Sequence, residues 1–549
     1  MKILLVAIVL IPVITFGQTK KQRRAEEKEN KTILANLQAH VKYLADDARQ
    51  GRRAGTQGEL DAMDYISRQF ATVGLEPKGN GNASFTQEFD INEGKQYDRQ
   101  TTTLSVNGAA LKAGTEFIPI AFSANSSAEG TSSLGIREKG EPWFYDLKDV
   151  LEDNKNNPHF DVDDAIENEA KKVTTKGAKA LLVINTSTSE DNVQFNKYDT
   201  TAYLGIPVVY ISKEALQKYL PDNTGIYDLK LSVSLKPKQR KAHNVIGYIN
   251  NGAINTVIIG AHYDHLGFGE DGNALDSQGQ VHNGADDNAS GTAGLIELVK
   301  ILKGSTAKNN NYLFIAFSAE ELGLLGSKYW LSHPTISVTP NYMINMDMIG
   351  RYDSSKKLTV GGYGTSPSWS QVLPSVNATG FVLHYDSSGT GPSDHSSFYQ
   401  KNIPVLFFFT NTHSDYHKAT DDWDKINYAG EVGILRYIQH IIEATDKQGK
   451  LAFLQTREQD VASVNLPVTL GVMPDYAFTG KGMRIDGVSK GKIAEKAGLQ
   501  SGDILTQLGD YKFIDVVTYM KALQHFKKGD KTTLHLTRDS KDLTFNIEF

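Results

Sequence analysis

VIIGAHYDHLGFGEDGNALDSQGQVHNGADDNASG, residues 257–291, decides how this chain reads. It opens on apolar Val257-Ile258-Ile259 after polar Asn255 and Thr256, the pattern of a buried strand. His262-Tyr263-Asp264 closes that strand, and a glycine-rich polar loop follows. Gly284-Ala285-Asp286-Asp287-Asn288-Ala289-Ser290-Gly291 then leads into a helix with apolar Leu295, Ile296, Leu298, Val299 and Leu302. In open α/β sheets, ligands sit beyond the carboxyl ends of the strands. A histidine and several carboxylates at that location are placed for a metal, not for packing.

The flanking sequence repeats the pattern. Asn244 to Ile249 predicts the preceding strand. Tyr312 to Phe317 predicts a third, followed by Glu320-Glu321. Tyr342 to Met346 is a fourth and runs into Asp347. Pro404 to Phe409 is a fifth, followed closely by Asp415-Tyr416-His417. Unpaired buried carboxylates are costly, so strands that keep ending in charge call for a cation. Imidazole and carboxylate ligands suit zinc, and two adjacent ions need a bridging carboxylate. His262, Asp287, Glu321, Asp347 and His417 supply two imidazoles and three carboxylates. Asp264 is placed to orient an imidazole from behind. Of Glu320 and Glu321, one can ligate while the other stays free as a base, the division of labour that two-metal hydrolysis needs.

Together, "GAHYDH", "NGADDNASG", "FSAEELGLLGS", "NMDMIG" and "DYHKATDD" resemble the co-catalytic zinc exopeptidase family. That family includes bacterial leucyl aminopeptidases, vacuolar aminopeptidase Y, glutamate carboxypeptidase and the single-zinc glutaminyl cyclases. The likeness spans roughly Asn244 to Tyr437 plus the N-terminal helices. It implies two zinc ions per chain, His262 and Asp347 on one, Glu321 and His417 on the other, Asp287 bridging both. It also implies Glu320 as general base, Asp264 as the carboxylate behind the first histidine, and Tyr416 as a group that steadies the tetrahedral intermediate. Asp287 is preferred to Asp286 because it stands three residues before Ser290-Gly291. Ser393-Asp394-His395 resembles a family motif near the substrate, which makes His395 a substrate-binding candidate. His265 and His282 read as loop residues. Glutaminyl cyclase chemistry fits less well, because both outer ligand positions, His262 and His417, are kept. The resemblance implies removal of N-terminal residues from peptide substrates. The alternatives are a carboxypeptidase or dipeptidase of the same fold, or a non-catalytic peptide-binding protein, against which the intact Glu320 argues.

The rest of the chain frames this domain. Its 549 residues allow two to four domains. A net charge of -6 leaves no footprint for nucleic acid. Lys2, the apolar run Ile3 to Phe16 and Gly17-Gln18 read as a signal peptide over residues 1–17, too short and too interrupted by Pro12 for a comfortable membrane span. With no cysteine there is neither a disulfide nor a lipidated cysteine, which suits a secreted or periplasmic protein without a stable membrane span after cleavage. Residues 18–101 hold the N-terminal helices of the peptidase domain. A solvated charge run, Lys20 to Lys28, comes first, then Ile33, Leu37, Val41 and Leu44 on one helix and Met63, Ile66, Phe70 and Val73 on the next. Arg52 to Gly58 reads either as a loop that faces a site or as a plain helix connection that needs glycine.

Residues 102–235 resemble an inserted, β-rich protease-associated domain through "KGAKALLVIN" and "GIPVVYIS". Residues 236–450 are the zinc peptidase domain. Residues 451–549 are a linker and a PDZ-like α+β domain in the permuted bacterial arrangement, resembled through "KIAEKAGLQSGDIL" and the carboxylate-loop candidate Leu470-Gly471-Val472, with Met483, Ile485 and Leu505 as core. Such a domain binds an extended peptide or protein C-terminus by strand addition. The expected fold class is therefore α/β: a mixed-sheet exopeptidase domain with helices on both faces, a β-rich insert and a PDZ-like unit.

Overall fold

The computed structural model describes residues 20–549 apart from 82, 156–159, 161, 198–201, 272, 277–278, 354–357, 379, 457–467, 475–480, 489–491, 515 and 540. The signal-peptide expectation lies outside the described residues. Among them, no helix is long and apolar enough to cross a membrane.

A nine-stranded mixed sheet carries the chemistry. In chain order its strands are β1 Glu76–Pro77, β2 Thr86–Tyr97, β3 Leu235–Ile249, β4 Asn255–His262, β5 Asn310–Phe317, β6 Pro340–Met346, β7 Leu358–Gly361, β8 Leu383–Tyr385 and β9 Val405–Phe409. The spatial order is β1-β3-β5-β4-β6-β9-β7-β8, with β2 paired to β3. The four central strands β5, β4, β6 and β9 are parallel, and the flanking β3 and β7 run against them. Alternate residues of a strand face opposite sides of a sheet. Val257, Ile259 and Ala261 of β4, with Tyr312, Phe314 and Ala316 of β5, enter one core. Ile258, Leu313, Ile315 and Phe317 enter the other.

Helices cover both faces. The first core is closed by α1 Lys20–Leu44, α2 Gln57–Thr72, α3 Gly291–Gly304 and α5 Tyr428–Thr445. The second is closed by α4 Leu325–Ser332 and the short helix His395–Tyr399. The charge run from Lys20 forms the first turns of α1. The α3 helix is buried almost all round, including Thr292 and Glu297. Glu297 is tolerated there because His40, Asn36 and Lys300 all reach it.

The strands β2 and β3 are longer than their apolar segments predict. They pair from Val245 opposite Thr86 to Leu235 opposite Tyr97, an antiparallel ribbon that leaves the main sheet. Beyond it, residues between Thr103 and Ser232 form two four-stranded sheets. One is antiparallel. The other has Ala180–Ile184 parallel to both Pro142–Asp146 and Val208–Ile211, with the helix Val162–Lys176 packed on it through Ile166, Ala170 and Val173. The insert thus contains an α/β layer as well as an antiparallel sheet.

The C-terminal unit has its own six-stranded sheet and its own core, in which Leu470, Met483, Ile485 and Leu505 are buried. Leu470 accepts a hydrogen bond from Ala494 N, and Gly471 N donates to Thr469 Oγ1. Gly471 is in the left-handed region at φ 74°. Val472 begins the strand Val472–Pro474, antiparallel to Met483–Val488.

Candidate metal centre

The carboxyl ends of the four parallel strands converge. His262 is the last residue of β4, Glu320 and Glu321 follow β5, Asp347 follows β6, and His417 stands on the loop after β9. Asp287 comes from the turn Ala285–Ser290 that feeds α3. Gly284 opens that turn at φ 55°, and a Cβ there would fall 2.1 Å from Asp287 O, so only glycine fits. Ala319, Met348 and His417 are also held left-handed beside these ligand candidates. Such strain costs roughly 1–3 kcal/mol per residue and persists where the surroundings enforce it.

Asp287 is shared between two groups of donors. Its Oδ1 is 3.4 Å from His262 Nε2, which is also 3.3 Å from Asp347 Oδ1. Its Oδ2 is 3.2 Å from His417 Nε2, which is also 3.3 Å from Glu321 Oε2. Asp286, its neighbour, faces away and accepts hydrogen bonds from Ser290 Oγ and Gly350 N. Glu320 Oε2 stands 3.8 Å from His262 Nε2, on the open side.

The tautomers show what the cluster needs. His262 Nδ1 lies 3.2 Å from the carbonyl of Asp264, and His417 Nδ1 lies 2.9 Å from the carbonyl of Asn273. A carbonyl only accepts, so each Nδ1 carries a proton and each Nε2 faces carboxylates. That face calls for positive charge, either a proton on Nε2 or a metal ion in its place. The titration tendencies show the same demand for positive charge. Burial pushes Glu321 up to about 7 and, with repulsion from Asp347, Asp394 and Glu321, pushes Glu320 well above the usual carboxylate range. Burial lowers the histidines, but Asp347 and Glu320 outweigh it at His262, and Glu321 and Asp287 lift His417 to about 9. Two triads, His262 with Glu320 and Asp347 and His265 with Asp287 and Glu321, each bring nitrogen and oxygen donors within 4.8 Å of one another, a donor set that suits zinc.

The other expected residues are distributed around this cluster. Asp264 is buried, but its carbonyl rather than its carboxylate makes the close contact with His262; Oδ1 is 3.7 Å from Nδ1 and accepts from Glu320 N at 3.1 Å. Tyr416 stacks on His417 at 3.9 Å between centroids, and burial with the nearby carboxylates keeps its hydroxyl protonated. His395 is buried and stacks on Phe407 at 4.4 Å. His262, Glu320, Asp347, His395, Tyr416 and His417 all line one cavity of about 480 Å³. Leu470, Gly471 and Val472 stand apart from this cavity in the C-terminal unit, where Leu470 is buried in the core and Val472 packs against it.

Four residues that the sequence did not single out hold the centre in place. His265, read as a loop residue, is buried with Nδ1 2.8 Å from Glu321 Oε1. An imidazole three residues after His262 was the available signal. Asn273 supplies the carbonyl behind His417 and donates to Glu321 Oε2. Asp421 accepts from the backbone N–H of both Asp286 and Asp287. Arg52, read as part of a loop or helix connection, is fully buried and donates to the carbonyls of Leu44, Tyr263, Asn283 and Gly284, tying together the two loops that carry His262 and Asp287. Nothing local marks an arginine that acts only on carbonyls distant in sequence.

A mixed α/β sheet that delivers two histidines and four carboxylates to one edge defines a metallopeptidase-type domain. Residues 244–442 match Peptidase family M28, and residues 457–549 match a PDZ domain. Among curated relatives, Aminopeptidase YwaD of Bacillus subtilis is 29% identical over 251 residues, covering 44% of this chain and 50% of that protein. Probable lipoprotein aminopeptidase LpqL of Mycobacterium tuberculosis is 24% identical over 450 residues, covering 72% of this chain and 82% of the relative. The chain spans about half the length of YwaD and of Leucine aminopeptidase 2 of Trichophyton rubrum. BSAP, a zinc aminopeptidase from Bacillus subtilis, aligns with a TM-score of 0.42 at 22% identity, over 78% of this chain and 97% of that structure.

Proposed function

We propose that this protein is an exported zinc aminopeptidase that uses two metal ions and Glu320 as its base. The observation that carries the reading is the split carboxylate of Asp287, one oxygen toward His262 and the other toward His417. The aminopeptidase names of the curated relatives support it. Export rests on the pattern of Lys2 and Ile3 to Phe16.

His262, Asp287 and Asp347 would hold one ion; His417, Asp287 and Glu321 the other. Bound zinc supplies a Lewis acid for the scissile carbonyl and lowers the pKa of water. Glu320 lines the cavity beside the donors without sharing their tightest contacts, so it is available to take a proton from the nucleophile and return it to the leaving amine. Asp264 fixes Glu320 through its backbone N–H. Tyr416, protonated at neutral pH, offers a hydroxyl donor to the developing oxyanion. The PDZ domain would add a docking site for a peptide or protein C-terminus through Leu470 to Val472.

A panel of aminoacyl and N-acetylated reporter peptides, with and without zinc, tests this. Free-amine substrates should be cleaved in a zinc-dependent manner and acetylated ones spared. Release of C-terminal residues would move the function to a carboxypeptidase, and an inert zinc-loaded protein would move it to peptide binding.

A further inference from the structure

The sheet continues past the ligands as one wall of the same cavity. On β9 and β7, Phe407 stands opposite Gly361 and Phe409 opposite Thr359. On β7 and β8, Val360 stands opposite Tyr385, and Asp386 N donates to Val360 O, so Asp386 falls beside Gly361. Directly opposed residues share a face. Phe407, Gly361 and Asp386 therefore form one row across three strands, and all three line the cavity. The middle position is bare. A Cβ at Gly361 would lie 3.2 Å from Cβ and Cδ1 of Phe407, so any side chain there would fill the row. The aromatic end is rigid, with Phe407 stacked between His395 and Phe409 at centroid distances of 4.4 and 5.6 Å.

The far end is a carboxylate. Asp386 is exposed at the rim, and its Oδ1 accepts from Ser388 N at 2.9 Å. Burial pushes its carboxyl above the usual carboxylate range, while the Ser388 N–H and the nearby His384 oppose that. Lys328 also lines the cavity, but its Nζ binds Gly323 O at 2.8 Å. From β6, which carries Asp347, to β8 is three strand spacings, about 14 Å. A short side chain would stop against the aromatic rings. Only a long one, running over Gly361, reaches Asp386.

We propose that Asp386 is a specificity-determining residue that selects peptides with lysine or arginine at the N-terminus, the alkyl stem lying on Phe407 and Phe409 and the cationic head meeting Asp386 across the gap at Gly361. This rests on the aminopeptidase reading, in which the terminal residue occupies the cavity and the rest of the peptide leaves it. Apolar stems with charged heads suit such a surface, and the rings add cation–π attraction.

The test uses the full zinc-loaded chain and fluorogenic amides of lysine, arginine, methionine and leucine. Methionine matches the unbranched stem without the charge. Lysine and arginine should exceed methionine in kcat/KM by about five-fold, the size of one exposed ion pair. Asp386→Asn should erase that ratio through KM for the cationic substrates, high salt should shrink it, and Asp386→Lys should invert it. Gly361→Val should lower the ratio as well, by closing the gap while leaving the carboxylate. An unchanged lysine-to-methionine ratio in Asp386→Asn, or a wild-type preference for leucine and methionine, would overturn the inference while the aminopeptidase reading stands. No turnover of any free-amine substrate would overturn both.

Discussion

His265 Nδ1 lies 2.8 Å from Glu321 Oε1, and the buried imidazole meets His417 edge-on at 5.9 Å between ring centroids. Its Nε2 has no hydrogen-bond partner, and burial lowers its pKa to about 3, so the ring stays neutral and Nδ1 donates to the carboxylate. It thereby fixes which oxygen of Glu321 faces His417. His265→Ala should keep the fold and weaken zinc binding by about 10–100-fold, the usual size of such support behind a ligand. Competition with a chromophoric chelator would measure this. Unaltered zinc affinity would reduce His265 to packing.

Glu320 and Glu321 are adjacent but face different partners, His262 and His417 respectively. Glu320→Gln should retain zinc and lose about 10²–10⁴-fold in kcat, the worth of a general base. Glu321→Gln should instead lose zinc affinity and recover partly with added metal. Metal analysis beside kinetics separates the two, and the opposite pattern would exchange their roles.

Arg52 satisfies four carbonyls from the protein interior. Burial lowers its pKa to about 10, with Asp287 and Asp264 opposing that, so it remains charged at neutral pH. Arg52→Met removes the charge and strands the carbonyls, at roughly 3–5 kcal/mol. Arg52→Lys keeps the charge but not the planar fork and should be intermediate. Thermal melts of the metal-free protein would rank them; a lysine variant equal to wild type would show that charge alone matters.

Glu431 gives a pH prediction away from the metal donors. Both its oxygens are buried without a hydrogen-bond partner, and burial, then repulsion by Asp286 and Glu297, pushes its carboxyl well above the usual range. The folded state therefore holds this proton more tightly than the unfolded chain. The stabilising contribution is complete below the ordinary value of 4.5 and is lost as pH rises toward the folded pKa. Glu431→Gln should consequently be more stable than wild type at pH 7, by about 1–3 kcal/mol, and the advantage should narrow toward pH 4.5. A gap in melting temperature that is independent of pH would refute the buried-proton account.

The strands and the positions of most candidate donors beside them were legible because each depends on local order. Val257 to Ile259 and Tyr312 to Phe317 are apolar runs that end in charge, and a parallel sheet buried on both faces produces such runs wherever it occurs. The same pattern places His262, Glu321 and Asp347 at or just past strand ends and His417 on the loop that follows the last of these strands. Asp287 is preferred to Asp286 from its distance to Ser290-Gly291, and the fold gives the physical reason, pointing one carboxylate at both histidines and the other at Ser290 and Gly350. Arg52, His265 and Asn273 depended wholly on tertiary structure. Each acts through one to four hydrogen bonds to groups that lie between 8 and 232 residues away in the chain, and such bonds leave no periodicity behind. The row Phe407, Gly361 and Asp386 is of the same kind. Strand register, set by how three separate segments pack, decides whether a bare glycine connects an aromatic wall to a carboxylate or merely separates them.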